Sequence, residues 1–144
     1  MPDGLRITAE ISAGELIDRI TILELKQGRL SDPRQLANVK HELQSLQQIH
    51  SRQVSPDTTA AAGRLKQLTG ELAEVNTVLW DIEDALRECE RRSDFGPDFV
   101  QLARSVYFEN DRRAALKREI NRLLNSAIVE EKSYADYGSG PGGE

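Results

Sequence analysis

The sequence contains few of the residues that characterise disulfide-linked or zinc-binding proteins. Its 144 residues include one cysteine, Cys89, and two histidines. A single cysteine cannot form an internal disulfide, and this set of sulfur and nitrogen ligands does not supply a structural zinc site. We therefore expect a reducing, cytoplasmic location and a protein without a resident metal or other cofactor.

Long apolar runs and excess positive charge are also missing. No apolar stretch approaches the ~18 residues of a transmembrane helix, and residues 1–12 contain no hydrophobic secretory core. The net charge is -5, which argues against binding to nucleic acid or to an anionic membrane surface. Neither nucleic acid nor a membrane is an expected partner.

The composition is that of a folded protein. Hydrophobic residues make up 38% and charged residues 30% of the chain, which is typical of globular rather than disordered proteins. A chain of this length forms one domain and buries about 70% of its unfolded surface. We predict a single helical domain over residues 1–137, followed by a disordered glycine-rich tail at residues 138–144.

Apolar periodicity predicts four principal helices, separated by breaks near residues 31–33, 52–56 and 93–97. Ser12 and Glu15 form an S-x-x-E capping box that places the start of the first helix at Ala13. The other three helices are predicted at about residues 33–50, 57–92 and 97–128. Because the breaks are short, we predict an all-α fold, specifically an antiparallel bundle of four principal helices.

The first helix is apolar around most of its circumference. Leu16, Ile17 and Ile20 share one face, while Ile22 and Leu25 lie on another. One small bundle does not easily cover so much apolar surface. We therefore predict a homodimer built partly on this helix, with Ile22 and Leu25 available to the partner.

Polar side chains interrupt the apolar faces of three predicted helices. Burial of an unpaired charge is costly, so such groups should meet one another, a ligand or a metal. We predict that Arg113 and Lys117 face Glu24, Glu83 or both across the interior. The complete predicted ligand-binding set is Glu24, Glu83, Arg87, Glu109, Asn110, Arg113 and Lys117.

Two interpretations of this set remain open. It can be a purely structural salt-bridge network, or a pocket in which Arg113 and Lys117 bind an anionic small molecule. The sequence has no P-loop, G-x-G-x-x-G, HExxH or G-x-S-x-G motif and no visible nucleophile–base pair, so no catalytic residue is assigned. The first function class is therefore a binding or accessory module for an anionic small molecule or a protein partner. The second is a small enzyme acting on an anionic metabolite.

Several longer strings carry a resemblance to a known family. They are ISAGELIDRITILELK, NVKHEL, LWDIEDALRECE, FVQLARSVYFENDRRAALKREINRLL and IVEEKSY. Over about residues 8 to 137 the chain closely resembles a bacterial all-helical domain family of unassigned function. Its members look like small cytoplasmic proteins, or domains attached to tetratricopeptide and glycosyltransferase-type proteins. The resemblance implies a link to surface-glycan metabolism.

Two looser resemblances define the enzyme alternative. The string GELIDRITILELK is similar to the first helix of helical chorismate mutases, which hold a dicarboxylate with inward arginines and a lysine, although the later basic spacing is not reproduced. Carboxylates on several helices resemble those of all-α nucleotide pyrophosphohydrolases, which hold magnesium with paired acidic motifs. Glu71 and Glu74 have the spacing of the first such motif, but no second motif follows. These analogies imply a magnesium-dependent nucleotide or nucleotide-sugar hydrolase, or a chorismate-mutase-like enzyme.

Overall fold

Four α-helices make up the regular structure of the computed structural model, which describes residues 4–131. They are α1 (Ala13–Arg29), α2 (Pro33–Gln53), α3 (Thr59–Arg91) and α4 (Pro97–Leu123). No strand occurs between residues 4 and 131, so the predicted all-α class is confirmed. The tail predicted at residues 138–144 lies outside the described residues. Within residues 4–131, no helix combines the length and the apolar content needed to cross a membrane.

Side-chain caps fix the starts of the first three helices. The Ser12 hydroxyl accepts a hydrogen bond from the Glu15 N–H at 3.1 Å, as the capping box predicts. Asp32 caps α2 and Thr58 caps α3 in the same way. Such bonds satisfy N–H groups that a helix leaves without partners at its start. The three connections between the helices are short and span residues 30–32, 54–58 and 92–96.

The end of α4 is earlier than the sequence predicts. The helix stops at Leu123 rather than near Ile128, and Asn125 adopts a left-handed backbone conformation with φ 51°. A residue in this conformation cannot continue a right-handed helix. The Ser126 N–H donates to the Asn121 carbonyl at 2.8 Å, which closes the turn. Ala127, which follows this turn, is exposed.

Helix α1 is the centre of the arrangement. It packs against α2, α3 and α4, whereas α2 packs against α1 alone among the four helices. Leu16, Ile20 and Leu23 form one core with α2, and Ile17 belongs to a second core built from α3 and α4. Three helices therefore cover α1, which accounts for apolar residues around most of its circumference.

Candidate functional site: a cavity between α1, α3 and α4

A cavity of about 270 Å³ lies where α1, α3 and α4 meet. Most of its lining comes from α3, at three- and four-residue spacings that place the side chains on one helical face. Apolar side chains form its middle, and charged or amide side chains occupy its two ends along α3. The lining residues are Ile22, Leu25, Asn76, Leu79, Trp80, Glu83, Asp84, Arg87 and Arg113.

A buried polar network supports one end of this cavity. Asp18, Thr21 and Asn76 each expose 5% or less of their surface. The Asn76 Nδ2 group donates to Asp18 Oδ1 at 2.8 Å and to Thr21 Oγ1 at 3.0 Å. The Thr21 hydroxyl donates in turn to the Asp18 carbonyl at 2.7 Å. Asn76 thus provides the buried Asp18 carboxylate with a hydrogen-bond donor, which a buried charge requires.

The same amide positions Arg113. Arg113 Nη1 donates to Asn76 Oδ1 at 3.3 Å, and Nη2 donates to Asn110 Oδ1 at 2.9 Å. A guanidinium group has five N–H donors, and among the described residues Arg113 uses two of them. Its half-buried side chain also lines the cavity. The remaining donors can bind a carboxylate or phosphate oxygen, a geometry that arginine favours.

Three residues of the predicted ligand-binding set line this cavity: Glu83, Arg87 and Arg113. Glu83 and Arg87 are exposed, and their charged atoms lie 3.8 Å apart. Residues four apart lie on the same face of a helix, which allows this pairing. The assignment of these three residues to ligand binding stays a prediction.

The inward placement of Glu24 is wrong. Glu24 lies on the same side of the helical wheel as Ile17 and Ile20, but its side chain is exposed. Gly28, one turn further along, is also exposed, and a Cβ atom at that position would have no neighbouring atom within 4 Å. Neighbouring helices therefore cover this side of α1 only along its first half. A helical wheel assumes equal cover along the whole helix, which is why it misplaced Glu24.

Glu109 and Asn110 lie outside the cavity lining. Asn110 contributes indirectly, because its side chain accepts a hydrogen bond from Arg113. Glu109 is half-buried, and its Oε2 atom is buried without a hydrogen-bond partner. The only charge paired with that oxygen among the described residues is Arg112, at 3.9 Å.

Lys117 belongs to a second polar cluster, away from the cavity. Its Nζ atom lies 2.6 Å from a Glu15 oxygen and 3.0 Å from a Glu130 oxygen. The Ser12 hydroxyl donates to the other Glu130 oxygen. The predicted pairing of Lys117 with Glu24 or Glu83 is therefore wrong. We call Ser12, Glu15, Lys117 and Glu130 the terminal cluster.

Close contact between α1 and α4 explains this pairing. The Gly14 N–H donates to Asn121 Oδ1 at 2.7 Å, so the beginning of α1 rests on the last turns of α4. Glu15 is therefore the carboxylate of α1 within reach of Lys117. Glu24 is nine residues further along α1, a rise of about 13 Å.

The terminal cluster stabilises the ionised forms of Glu15 and Lys117. Burial raises the pKa of the Glu15 carboxyl, but hydrogen bonds from Arg19 and Lys117 outweigh it, and the pKa lies below its ordinary value. Burial lowers the pKa of the Lys117 ammonium, but hydrogen bonds to Glu15 and Glu130 raise it above its ordinary value. Both groups are thus held in their charged forms.

These shifts predict an acid-sensitive contribution to stability. A depressed carboxyl pKa stabilises the fold above the unfolded-state pKa of ~4.3, and this contribution is lost as the pH falls through the folded-state pKa. Lys117→Met removes one cause of the Glu15 shift. Between about pH 6 and about pH 3, the melting temperature of this variant should fall less than that of the wild type. Lys66→Met, at an exposed position of α3, is the control, and an equal fall in all three proteins would contradict the assignment.

Sequence reasoning missed Asp18, Thr21 and Asn76. A signal for Asp18 existed, because it directly follows Leu16 and Ile17 in a helix that is apolar around most of its circumference. Asn76 stands beside Val75 in the apolar stripe of α3. A polar residue within such a stripe indicates a buried hydrogen bond. Which partner it meets depends on helix packing, which the sequence pattern does not specify.

Metal ligands are not grouped in the part of the chain that the structure describes. Between residues 4 and 131, no three histidine, cysteine, aspartate or glutamate side chains are placed to hold one ion.

Fold and site together describe an all-α protein with a small cavity of mixed polarity among three helices. The chain belongs to DUF6165, a family of unknown function, whose model matches residues 7–143. This confirms the predicted membership in a helical family of unassigned function. Comparisons with curated proteins and with solved structures gave no match.

Proposed function

We propose that this protein is a non-catalytic binding module that holds a small, partly apolar anion in the cavity between α1, α3 and α4. One observation carries the proposal. Arg113 lines an apolar cavity, is fixed there by Asn76 and Asn110, and keeps N–H donors available. A fixed arginine loses little side-chain entropy when it binds an anion.

The apolar wall favours a ligand with a hydrocarbon part. Ile22, Leu25, Leu79 and Trp80 face the same cavity. Contact with these side chains removes apolar ligand surface from water, which contributes about 25 cal/mol per Å². A carboxylate attached to an alkyl or aromatic group satisfies both Arg113 and this wall.

Trp80 provides a direct measurement, because it is the only tryptophan in the chain and it lines the cavity. Octanoate should change its fluorescence in a saturable manner. Arg113→Met should weaken octanoate binding about tenfold, as expected for loss of a charged hydrogen bond worth about 1.5 kcal/mol. Arg112→Met, at the adjacent exposed position, should bind like the wild type. Equal binding by all three proteins, or no saturable signal, would refute the proposal.

A ligand panel separates this proposal from the enzyme alternative. Thermal melting with nucleotides, sugar nucleotides and dicarboxylates, with and without magnesium, covers the magnesium-dependent hydrolase and the chorismate-mutase-like enzyme. A ligand at one hundred times its dissociation constant adds ~2.7 kcal/mol to stability. The sugar nucleotides also test the link to surface-glycan metabolism, which rests on the family resemblance. Turnover of any of these compounds would overturn the non-catalytic assignment.

The finer architecture is part of the proposal. Short connections at residues 30–32, 54–58 and 92–96 support an antiparallel bundle, within one helical domain over residues 1–137. A homodimer built partly on α1 stays a prediction: Ile22 and Leu25, its predicted contacts, are half-buried and line the cavity, and the exposed Val100 of α4 supports it. The buried single cysteine, Cys89, is consistent with a cytoplasmic location. A monomeric mass, measured by light scattering at micromolar concentration, would contradict the proposed homodimer.

A further inference from the structure

The cavity carries opposite charges at its two ends. Arg113 and Asn76 mark one end, where Arg113 is the cation. Asp84 lies eight residues after Asn76 on α3, a rise of about 12 Å. Asp84 forms no hydrogen bond or ion pair with any other residue between 4 and 131. Its neighbour Glu83 is paired with Arg87 at 3.8 Å. The second end therefore has one carboxylate whose charge is not matched by a cation.

The middle of the cavity restricts what can connect two charged ligand groups. Its lining between the ends consists of Ile22, Leu25, Leu79 and Trp80. A peptide backbone placed there would leave its N–H and C=O groups buried without hydrogen-bond partners, which destabilises the complex. An alkyl chain has no such groups. At about 270 Å³, the cavity also lies near the lower limit for small-molecule sites.

We propose that the ligand class is a linear amino acid in which an alkyl chain separates a carboxylate bound by Arg113 from an ammonium group bound by Asp84. This inference rests on the proposed function and adds the second charge and the length. Consecutive Cα atoms lie 3.80 Å apart across three bonds, so each bond of an extended chain advances about 1.3 Å. Five bonds therefore span about 6 Å, and a hydrogen bond of about 2.8 Å at each end brings the total to about 12 Å.

A series of matched compounds tests the charge requirement. Pentanoate has the chain and the carboxylate, pentylamine has the chain and the ammonium, and 5-aminopentanoate has both. Binding is measured by Trp80 fluorescence and by calorimetry. We expect 5-aminopentanoate to bind about fivefold more tightly than pentanoate, the upper range for a partly exposed ion pair. Glycine, which is too short to reach both ends, should lose that advantage, and pentylamine should bind more weakly than pentanoate.

Two variants test the assigned residue. Asp84→Asn should abolish the preference for 5-aminopentanoate over pentanoate. Glu90→Gln, an exposed position further along α3 and outside the cavity lining, should keep the preference. Because Asp84 is exposed, neither substitution should affect folding, and melting temperatures check this.

The outcomes distinguish this inference from the proposed function. If octanoate binds through Arg113 but 5-aminopentanoate has no advantage over pentanoate, the anion-binding function stands and the amino acid ligand is wrong. A preference that persists in Asp84→Asn would also overturn the inference. If neither octanoate nor 5-aminopentanoate binds the wild type, the proposed function and this inference both fail.

Discussion

Gly14→Ala should destabilise the protein by about 3 kcal/mol. A Cβ atom at this position would lie 2.5 Å from the Lys117 carbonyl oxygen and 3.0 Å from Asn121 Oδ1. The carbonyl belongs to the backbone of α4 and cannot rotate away. The helices would have to separate, which weakens the hydrogen bond from the Gly14 N–H to Asn121. Overpacking costs about 1–3 kcal/mol and a lost hydrogen bond about 1 kcal/mol. Urea unfolding measures the change.

Two other helical glycines are matched controls for this substitution. Gly63 and Gly70 lie within α3, and a Cβ atom at either position would have no neighbouring atom within 4 Å. Alanine has a higher helix propensity than glycine, so each replacement should stabilise the fold by about 0.5–1 kcal/mol. A similar gain from Gly14→Ala would contradict the close contact between α1 and α4.

Asn76→Ala should cost about 3–5 kcal/mol, because it removes the side chain that donates to the buried Asp18 carboxylate. It also removes the oxygen that accepts the Arg113 hydrogen bond. Asp18 exposes 5% of its surface, so water cannot easily replace the lost donor. Denaturant unfolding measures the loss, and Trp80 fluorescence reports the accompanying change at the cavity wall.

A second substitution tests the mechanism of that loss. Asp18→Asn replaces the buried charge with a neutral amide, so its combination with Asn76→Ala should recover part of the lost stability. Glu74→Ala, at an exposed position two residues earlier on α3, should change stability by less than about 0.5 kcal/mol. If the Asp18 and Asn76 effects simply add, the two side chains are not coupled in the manner described.

The sequence predicted features that depend on neighbouring residues along the chain. The capping interaction of Ser12 with Glu15 formed at the predicted start of α1. The apolar periodicity that predicted α3 corresponds to buried side chains at Leu65, Leu68 and Leu72. Hydrophobic spacing and capping act over a few residues and are therefore visible in one sequence.

Side-chain partners on different helices could not be predicted in the same way. Lys117 meets Glu15 rather than Glu24 because the small size of Gly14 lets α1 approach the end of α4. A helical wheel gives direction around an axis but not the position of one helix along another. Arg113 was predicted to face Glu24 or Glu83, but its hydrogen-bond partners are the amides of Asn76 and Asn110.

The hydrogen bond from Ser12 to Glu130 joins residues 118 positions apart in the sequence. Closing a loop of that length in an unfolded chain has a large entropic cost, which rises with the logarithm of loop length. Pairing of α3 with α4 requires only the short connection at residues 92–96. Contacts between close segments form sooner during folding than contacts between distant ones. The helical pair α3–α4 can therefore serve as an early nucleus, and the terminal cluster is a late step that closes the chain around it.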